Sequence, residues 1–175
     1  MSNYIRYAKV EDASSLARVY SNSFNKAFEG IIPESILQEK FTFERIQERM
    51  IKELKEDVVK NIIMFKDEEP IGMLSYTKAE DEDLGDSCAD IWRIYLEPEC
   101  WNQKLGVELM NWVLKELKEK GYEKAILWVI EDNKRARKFY DNLGFKYDGT
   151  NRIIKQGKEI KDLRYMKLLG GNVND

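Results

Sequence analysis

The chain has 175 residues, 43% hydrophobic and 35% charged, with 29 basic and 32 acidic side chains and a net charge of −3. That length suits one domain with a sizeable core, read as residues 1–169 with a flexible tail over 170–175. The interleaved charges make no basic field for a phosphate backbone, and no apolar run approaches the ~20 residues of a membrane span, so neither nucleic acid nor a membrane is an expected partner. The opening MSNYIRYAKV lacks the apolar segment of a signal peptide, and a cytoplasmic protein is expected. Cys88 and Cys100 stand without a CxxC or a partner cluster, which fits two reduced thiols and no metal site. The chain has no histidine. That removes the commonest general base, the serine–histidine triads and most zinc sites.

In chain order, YIRYAK (4–9) alternates like a strand, and 11–28 carries Leu16, Val19, Tyr20, Ser23, Phe24 and Ala27 at helical spacing. Gly30 and Pro33 break the chain, and a second helical region runs over 43–54 with Ile46, Met50 and Leu54 recurring every fourth residue. Two short β-branched runs, 58–65 and 71–76, read as a hairpin turning at KDEEP. An acidic loop over 77–89 leads to a strand, DIWRIYL (90–96), followed by a helix from about Leu105 that Gly121 stops. KAILWVI (124–130) is apolar without alternation, as in a strand covered on both faces. A helix with an amide and two phenyl-type rings along its inner side follows in EDNKRARKFYDNLGF (131–145), where Gly144 suits a left-handed cap and Phe145 the residue that packs back. The remainder reads as a strand, a glycine-bearing turn and a last strand. This order, βα(α)βββαβαββ, predicts an α/β fold with a mixed sheet flanked by helices.

Two stretches carry chemistry. Residues 90–110 place a helix N-terminus just beyond a strand, where unpaired N–H groups and the positive end of the helix dipole suit a phosphate or pyrophosphate, and Gly106 lets a ligand approach the backbone. In 131–145, Asn133, Ala136 and Tyr140 share one helical face, so that Tyr140 is either a core tyrosine bonded to a backbone carbonyl or a phenol facing a cleft.

Together the span 89–147 resembles the core of the GCN5-related N-acetyltransferase (GNAT) superfamily. YLEPECWNQKLGVELM looks like that family's pyrophosphate motif, Q/R-x-x-G-x-G/A, and N-x-x-A-x-x-F-Y-x-x-x-G-F (133–145) is similar to its second motif. The resemblance implies the acyl-CoA N-acyltransferase fold, with a mostly antiparallel sheet, and acetyl-CoA as cosubstrate with no metal. It further implies that backbone atoms of Ile94, Tyr95 and Leu96 hold the pantetheine arm. Asn102, Gln103, Lys104, Leu105, Gly106 and Val107 match the pyrophosphate loop, Asn133 the asparagine that reaches the cofactor, and Tyr140 the phenol near its sulfur. Two positions depart from the pattern: Trp101 stands where Gln or Arg is usual, and Lys104 replaces the first glycine. A side chain at 104 costs little if φ is negative but roughly 1–2 kcal/mol if the backbone is left-handed; its ammonium either pairs with a phosphate or stays solvated.

The implied activity is N-acetyl transfer from acetyl-CoA directly to an amine, on a small molecule or a peptide. Such a reaction needs a neutral amine, because an ammonium with a pKa of about 10.4 has no lone pair, and a proton for the departing thiolate. A phenol is protonated at neutral pH and can give one, so Tyr140 is the expected general acid. The base must be a carboxylate, a tyrosine or a water relay. Asp90 matches a position often acidic in the family, or is a solvated strand-end residue, while Trp128 stands where some relatives keep a carboxylate. The acidic loop (Glu80, Asp81, Glu82, Asp83, Asp86) either attracts a cationic amine or is simply solvated. Phe24, Phe28 and Trp92 either wall an acceptor pocket or fill the core. Rival readings are a catalytically silent acyl-CoA-binding module and an interaction domain that kept only the fold. The acceptor's identity and the oligomeric state, a homodimer included, stay open.

Overall fold

Seven stretches extend and pair because their apolar residues alternate or run continuously, and five amphipathic segments close over them. In the computed structural model, which describes residues 2–170, the strands are β1 (Asn3–Tyr7), β2 (Lys60–Lys66), β3 (Glu69–Lys78), β4 (Cys88–Leu96), β5 (Lys124–Ile130), β6 (Lys146–Lys155) and β7 (Glu159–Leu168). The helices are α1 (Ala13–Ala27), α2 (Glu34–Lys40), α3 (Phe43–Glu56), α4 (Leu105–Glu119) and α5 (Lys134–Asn142). From residue 171 onward the tail expected over 170–175 lies outside the described residues. Among the described residues no helix is long and apolar enough to cross a membrane.

The strands form one sheet in the order β1-β2-β3-β4-β5-β7-β6. Every neighbouring pair is antiparallel except β4 and β5, which run parallel. The β2–β3 hairpin turns at Asp67 and Glu68, both left-handed with φ of 49° and 70°, the backbone of the tight turn whose twist matches that of the strands. Helix α2 was not expected. It has seven residues, too few for a period to show, and starts directly after Pro33, whose fixed φ suits a helix entry.

Helices α4 and α5 cover one face of the sheet, packing on Leu74, Ile91, Leu127 and Leu163. Helices α1, α2 and α3 cover the other, where Leu16, Val19, Ile46 and Met50 are fully buried against Ile63 and Met73. Each such side chain contributes on the order of 1.5–3 kcal/mol by leaving water.

One irregularity positions the site. Ser75 of β3 stands opposite Arg93 and the next residue, Tyr76, opposite Ile91, so Trp92 has no partner and bulges out of β4. The bulge also resets the alternation: Ile91 and Ile94 both face α4, while Arg93 and Tyr95 face α1 and α3. Just past it, the buried guanidinium of Arg93 donates to both carboxylate oxygens of Glu53 on α3, at 2.8 and 3.0 Å. Removing one partner of a buried pair strands the other charge. Glu53→Leu is expected to lower the unfolding free energy by roughly 3–5 kcal/mol, and Glu53→Leu with Arg93→Met to recover most of it, as read by urea denaturation.

Candidate active site

Strands β4 and β5 pair only from Cys88 opposite Lys124 to Ile91 opposite Leu127. Beyond the Trp92 bulge they part, and the gap opens into a cavity of about 1140 Å³. That exceeds the roughly 300–1,000 Å³ of a site for one small ligand, so two reactants fit. Its walls include β4 from Asp90 to Leu96, the start of α4, the outer face of α5 and, across the sheet, Phe24 and Phe28 of the α1 region.

Of the residues matched to a cofactor site, Ile94, Tyr95, Leu96, Asn102, Lys104, Leu105, Gly106, Val107, Asn133 and Tyr140 line this cavity. Gln103 turns aside: its amide donates to the carbonyl of Glu99 at 2.9 Å and accepts from Lys66 at 3.3 Å. Asn102 and Lys104 are both left-handed, with φ of 63° and 64°, so Lys104 takes the costly backbone that a glycine would occupy freely. In return, left-handed residues just before a helix turn successive N–H groups to one side, an anion-binding concavity at the positive end of α4. Gly106 is closely packed: a Cβ there would lie 3.2 Å from the ring of Phe139 on α5, which would have to give by a few tenths of an ångström.

Trp101 closes the end of β4, its indole N–H donating to the carbonyl of Leu96 at 3.0 Å. The guanidinium of Arg135 lies 3.8 Å over the indole ring, and burial lowers its pKa. With Lys104 and Lys138 it adds a cation to this end of the cavity. Arg135 was not singled out in the sequence; only its place two residues past Asn133 hinted at it.

Helix α5 begins at Lys134, one residue later than an inner face including Asn133 requires. Asn133 is its N-cap, with Oδ1 accepting the N–H of Ala136 at 3.2 Å. The far end closes as expected: Gly144 is left-handed and the N–H of Phe145 donates to the carbonyl of Tyr140 at 3.0 Å. Tyr140 is partly buried, its ring edge-on to Phe139 and Phe145. Its hydroxyl makes no hydrogen bond among those found within the described residues, and burial raises the phenol's pKa above the ordinary range, which keeps the proton in place.

Asp90 lies at the root of the cleft, on the part of β4 still paired with β5, and its carboxyl is pushed up to about 7, first by burial and then by the charge of Asp81. Asp162 and Glu80 push the same way, and Arg152 opposes them. The neighbouring carboxylates are spoken for. Buried Arg164 binds Asp81, Asp83 and Asp148 at 2.9, 2.6 and 2.6 Å, and Arg152 holds Asp162 at 3.0 Å while stacking 4.0 Å over Trp128. So Asp81 and Asp83 of the acidic loop are tied to the fold rather than merely solvated. Trp92, 48% exposed, lines the cavity with Phe28, whereas Phe24 is buried at its wall.

Burial also raises the thiol pKa of Cys88, to about 11, and of Cys100, so neither is poised as a thiolate nucleophile. Arg152, Asp162 and Arg164 carry no role in the reading from sequence. Their signal was present: Ile160, Asp162 and Arg164 alternate on the inward face of β7, where a charged residue needs a partner.

Residues 23–145 match the family model of the acetyltransferase (GNAT) family. A spermidine N(1)-acetyltransferase of Thermoplasma acidophilum is 27% identical over 155 residues, covering 86% of this chain and 92% of that protein. The crystal structure of PaiA N-acetyltransferase from Thermoplasma acidophilum, in complex with coenzyme A, superposes with a TM-score of 0.74 at 26% identity, covering 96% of this chain and 99% of that one. The ribosomal-protein-S18-alanine N-acetyltransferase of Escherichia coli shares the fold with a TM-score of 0.70 at 14% identity, over 98% and 96% of the two chains.

Two stability predictions follow from this geometry. Lys104→Gly relieves a left-handed side chain while adding freedom to the unfolded chain, and is expected to raise the unfolding free energy by up to about 1 kcal/mol in urea titrations. Asp90 keeps its proton to a higher pH in the fold than in the unfolded chain, so the folded state binds more protons between pH 3.8 and about 7. Its contribution is therefore lost as the pH rises through that window. Asp90→Asn is expected to melt above the unaltered protein at pH 8, with the gap closing toward pH 4.

Proposed function

The chain belongs to the acetyltransferase (GNAT) family and is an acetyl-CoA-dependent N-acetyltransferase acting on an amine; from that premise we propose that transfer is direct, with Asp90 as base and Tyr140 as acid, and that the acceptor is a polyamine-type cation. What carries this reading is one juxtaposition: a carboxyl that titrates near neutrality and a phenol that keeps its proton line the same cleft.

The cofactor half of that cleft fits a pyrophosphate and a slender arm. The α4 N-terminus, the left-handed turn at Asn102–Lys104 and the cations Lys104 and Arg135 are the groups for the phosphates, and the unpaired side of β4 beyond Trp92 is the track for the arm. When bound, acetyl-CoA supplies the activated acetyl carbon of a thioester. Asp90, ionised above about pH 7, takes a proton from the acceptor's ammonium and frees the lone pair that attacks. Tyr140 gives its proton to the departing sulfur and is reprotonated through solvent by the proton that the attacking nitrogen loses as the amide forms, while Asp90 releases its own proton to solvent. Direct transfer is supported by the two protonated cysteines and by the absence of histidine from the sequence. The polyamine acceptor is supported by the net negative surroundings of Asp90, by the aromatic walls Phe28 and Trp92, which suit a cation, and by the name of the Thermoplasma acidophilum relative.

The test is free-thiol release over an amine panel. Asp90→Asn is expected to lower kcat at least about 100-fold and to abolish the rise of rate with pH near 7, and Tyr140→Phe to lower kcat at least about tenfold. Both variants should keep the rise in melting temperature that coenzyme A confers. Turnover unchanged by either substitution would remove that residue from its role.

A further inference from the structure

The cavity extends past Trp92 and Trp128 to the tip of the β6–β7 hairpin, where Gln156 lines it. That tip is held in place. The N–H of Gln156 donates to the carbonyl of Lys158 at 3.1 Å. Gly157 lies so close to α2 that a Cβ would sit 2.9 Å from Ile36 and from Pro33, while Ile160 is buried and Ile154 packed in the core beneath α1 and α3. Yet the side-chain Oε1 of Gln156 is buried without a hydrogen-bond partner, the sole such side-chain atom among the described residues. Buried polar atoms are nearly always paired, because an unmet one forfeits its bond to water. The missing group must be an N–H or O–H donor, since a carbonyl oxygen only accepts.

The position of that oxygen sets a length. Asp162, whose charge bears on Asp90, pairs across the hairpin with Arg152, and Gln156 lies four positions beyond Arg152, just past the end of β6. At 3.3 Å per residue the acidic centre and the amide stand about 13 Å apart. An extended triamine spans that distance, and a short diamine does not.

We infer that Gln156 determines acceptor specificity by taking a hydrogen bond from the distal nitrogen of a long linear polyamine whose near nitrogen reacts beside Asp90. This rests on the amine-acceptor reading above and adds to it a second anchoring point, on an element remote from the chemistry. The amide does not touch the reacting atoms, so it acts through KM for acceptors long enough to reach it.

The experiment compares kcat/KM for spermidine, 1-aminobutane and ethylenediamine in the unaltered protein, Gln156→Leu and Gln156→Glu. Gln156→Leu is expected to lower kcat/KM for spermidine about tenfold, mostly through KM, and to leave the two short amines unchanged. Gln156→Glu retains an acceptor oxygen and is expected to keep the preference for spermidine, which a purely structural role for the amide would not predict. A spermidine to 1-aminobutane ratio unchanged in Gln156→Leu, with amines still acetylated, overturns the role of Gln156 and leaves the proposed function standing. Release of no thiol by the unaltered protein with any of the three amines overturns both.

Discussion

A single extra residue in one strand governs the site. With Trp92 bulged out of the β3–β4 ladder, β4 loses its register with β3 by one position and leaves the side of β5 after four paired residues. A parallel pair that continued to Leu96 would bury its own main chain and leave no space between the two central strands. Because it stops, β4 has main-chain groups without a strand partner along one side, and such groups demand hydrogen bonds from something else. Around that gap lie the N-terminus of α4 at the mouth, Tyr140 against one wall and Asp90 at the root.

The electrostatics of the root depend on which carboxylates are paired. Five acidic side chains, Asp81, Asp83, Asp90, Asp148 and Asp162, come from four different segments. Two arginines bind four of them. A further bulge of the sheet, where Asp148 to Thr150 stand opposite Arg164 alone, puts the side chains of Asp148 and Thr150 against that guanidinium. Asp90 is left without an arginine partner, and burial first, with the charges of Asp81, Asp162 and Glu80 adding to it, brings it to about 7. The network thus serves the unpaired member more than its own stability, since a buried ion pair gains little over an apolar replacement.

The same exchange of stability for a site appears at the phosphate end. Lys104 and Asn102 hold left-handed backbones that most residues avoid, and Gln156 keeps a buried oxygen unmet. Each is a local cost carried by a residue that lines the cavity.

Along the chain, the legible features were those set by near neighbours. Strand and helix order follow from alternation and from three- and four-residue spacing, the end of α5 from Gly144, and the membership of the family from two motifs whose residues lie within 89–147. The same two motifs pointed to Tyr140 and to residues 102–107, all of which line the cavity except Gln103, whose amide donates to the carbonyl of Glu99. Three things were out of reach. Whether position 104 would be left-handed depended on how the loop met α4. Whether Asp90 would be a solvated acid or a buried one depended on how the fold covered β4 and on Asp162, more than sixty positions downstream, being brought near it. The meaning of Gln156 depended on α2 lying beneath it. Local spacing dictates which face a side chain takes, because that is geometry over a few bonds. A charge's protonation and an oxygen's lack of a partner are set by whatever the fold brings within a few ångströms, and residues far apart in sequence supply it.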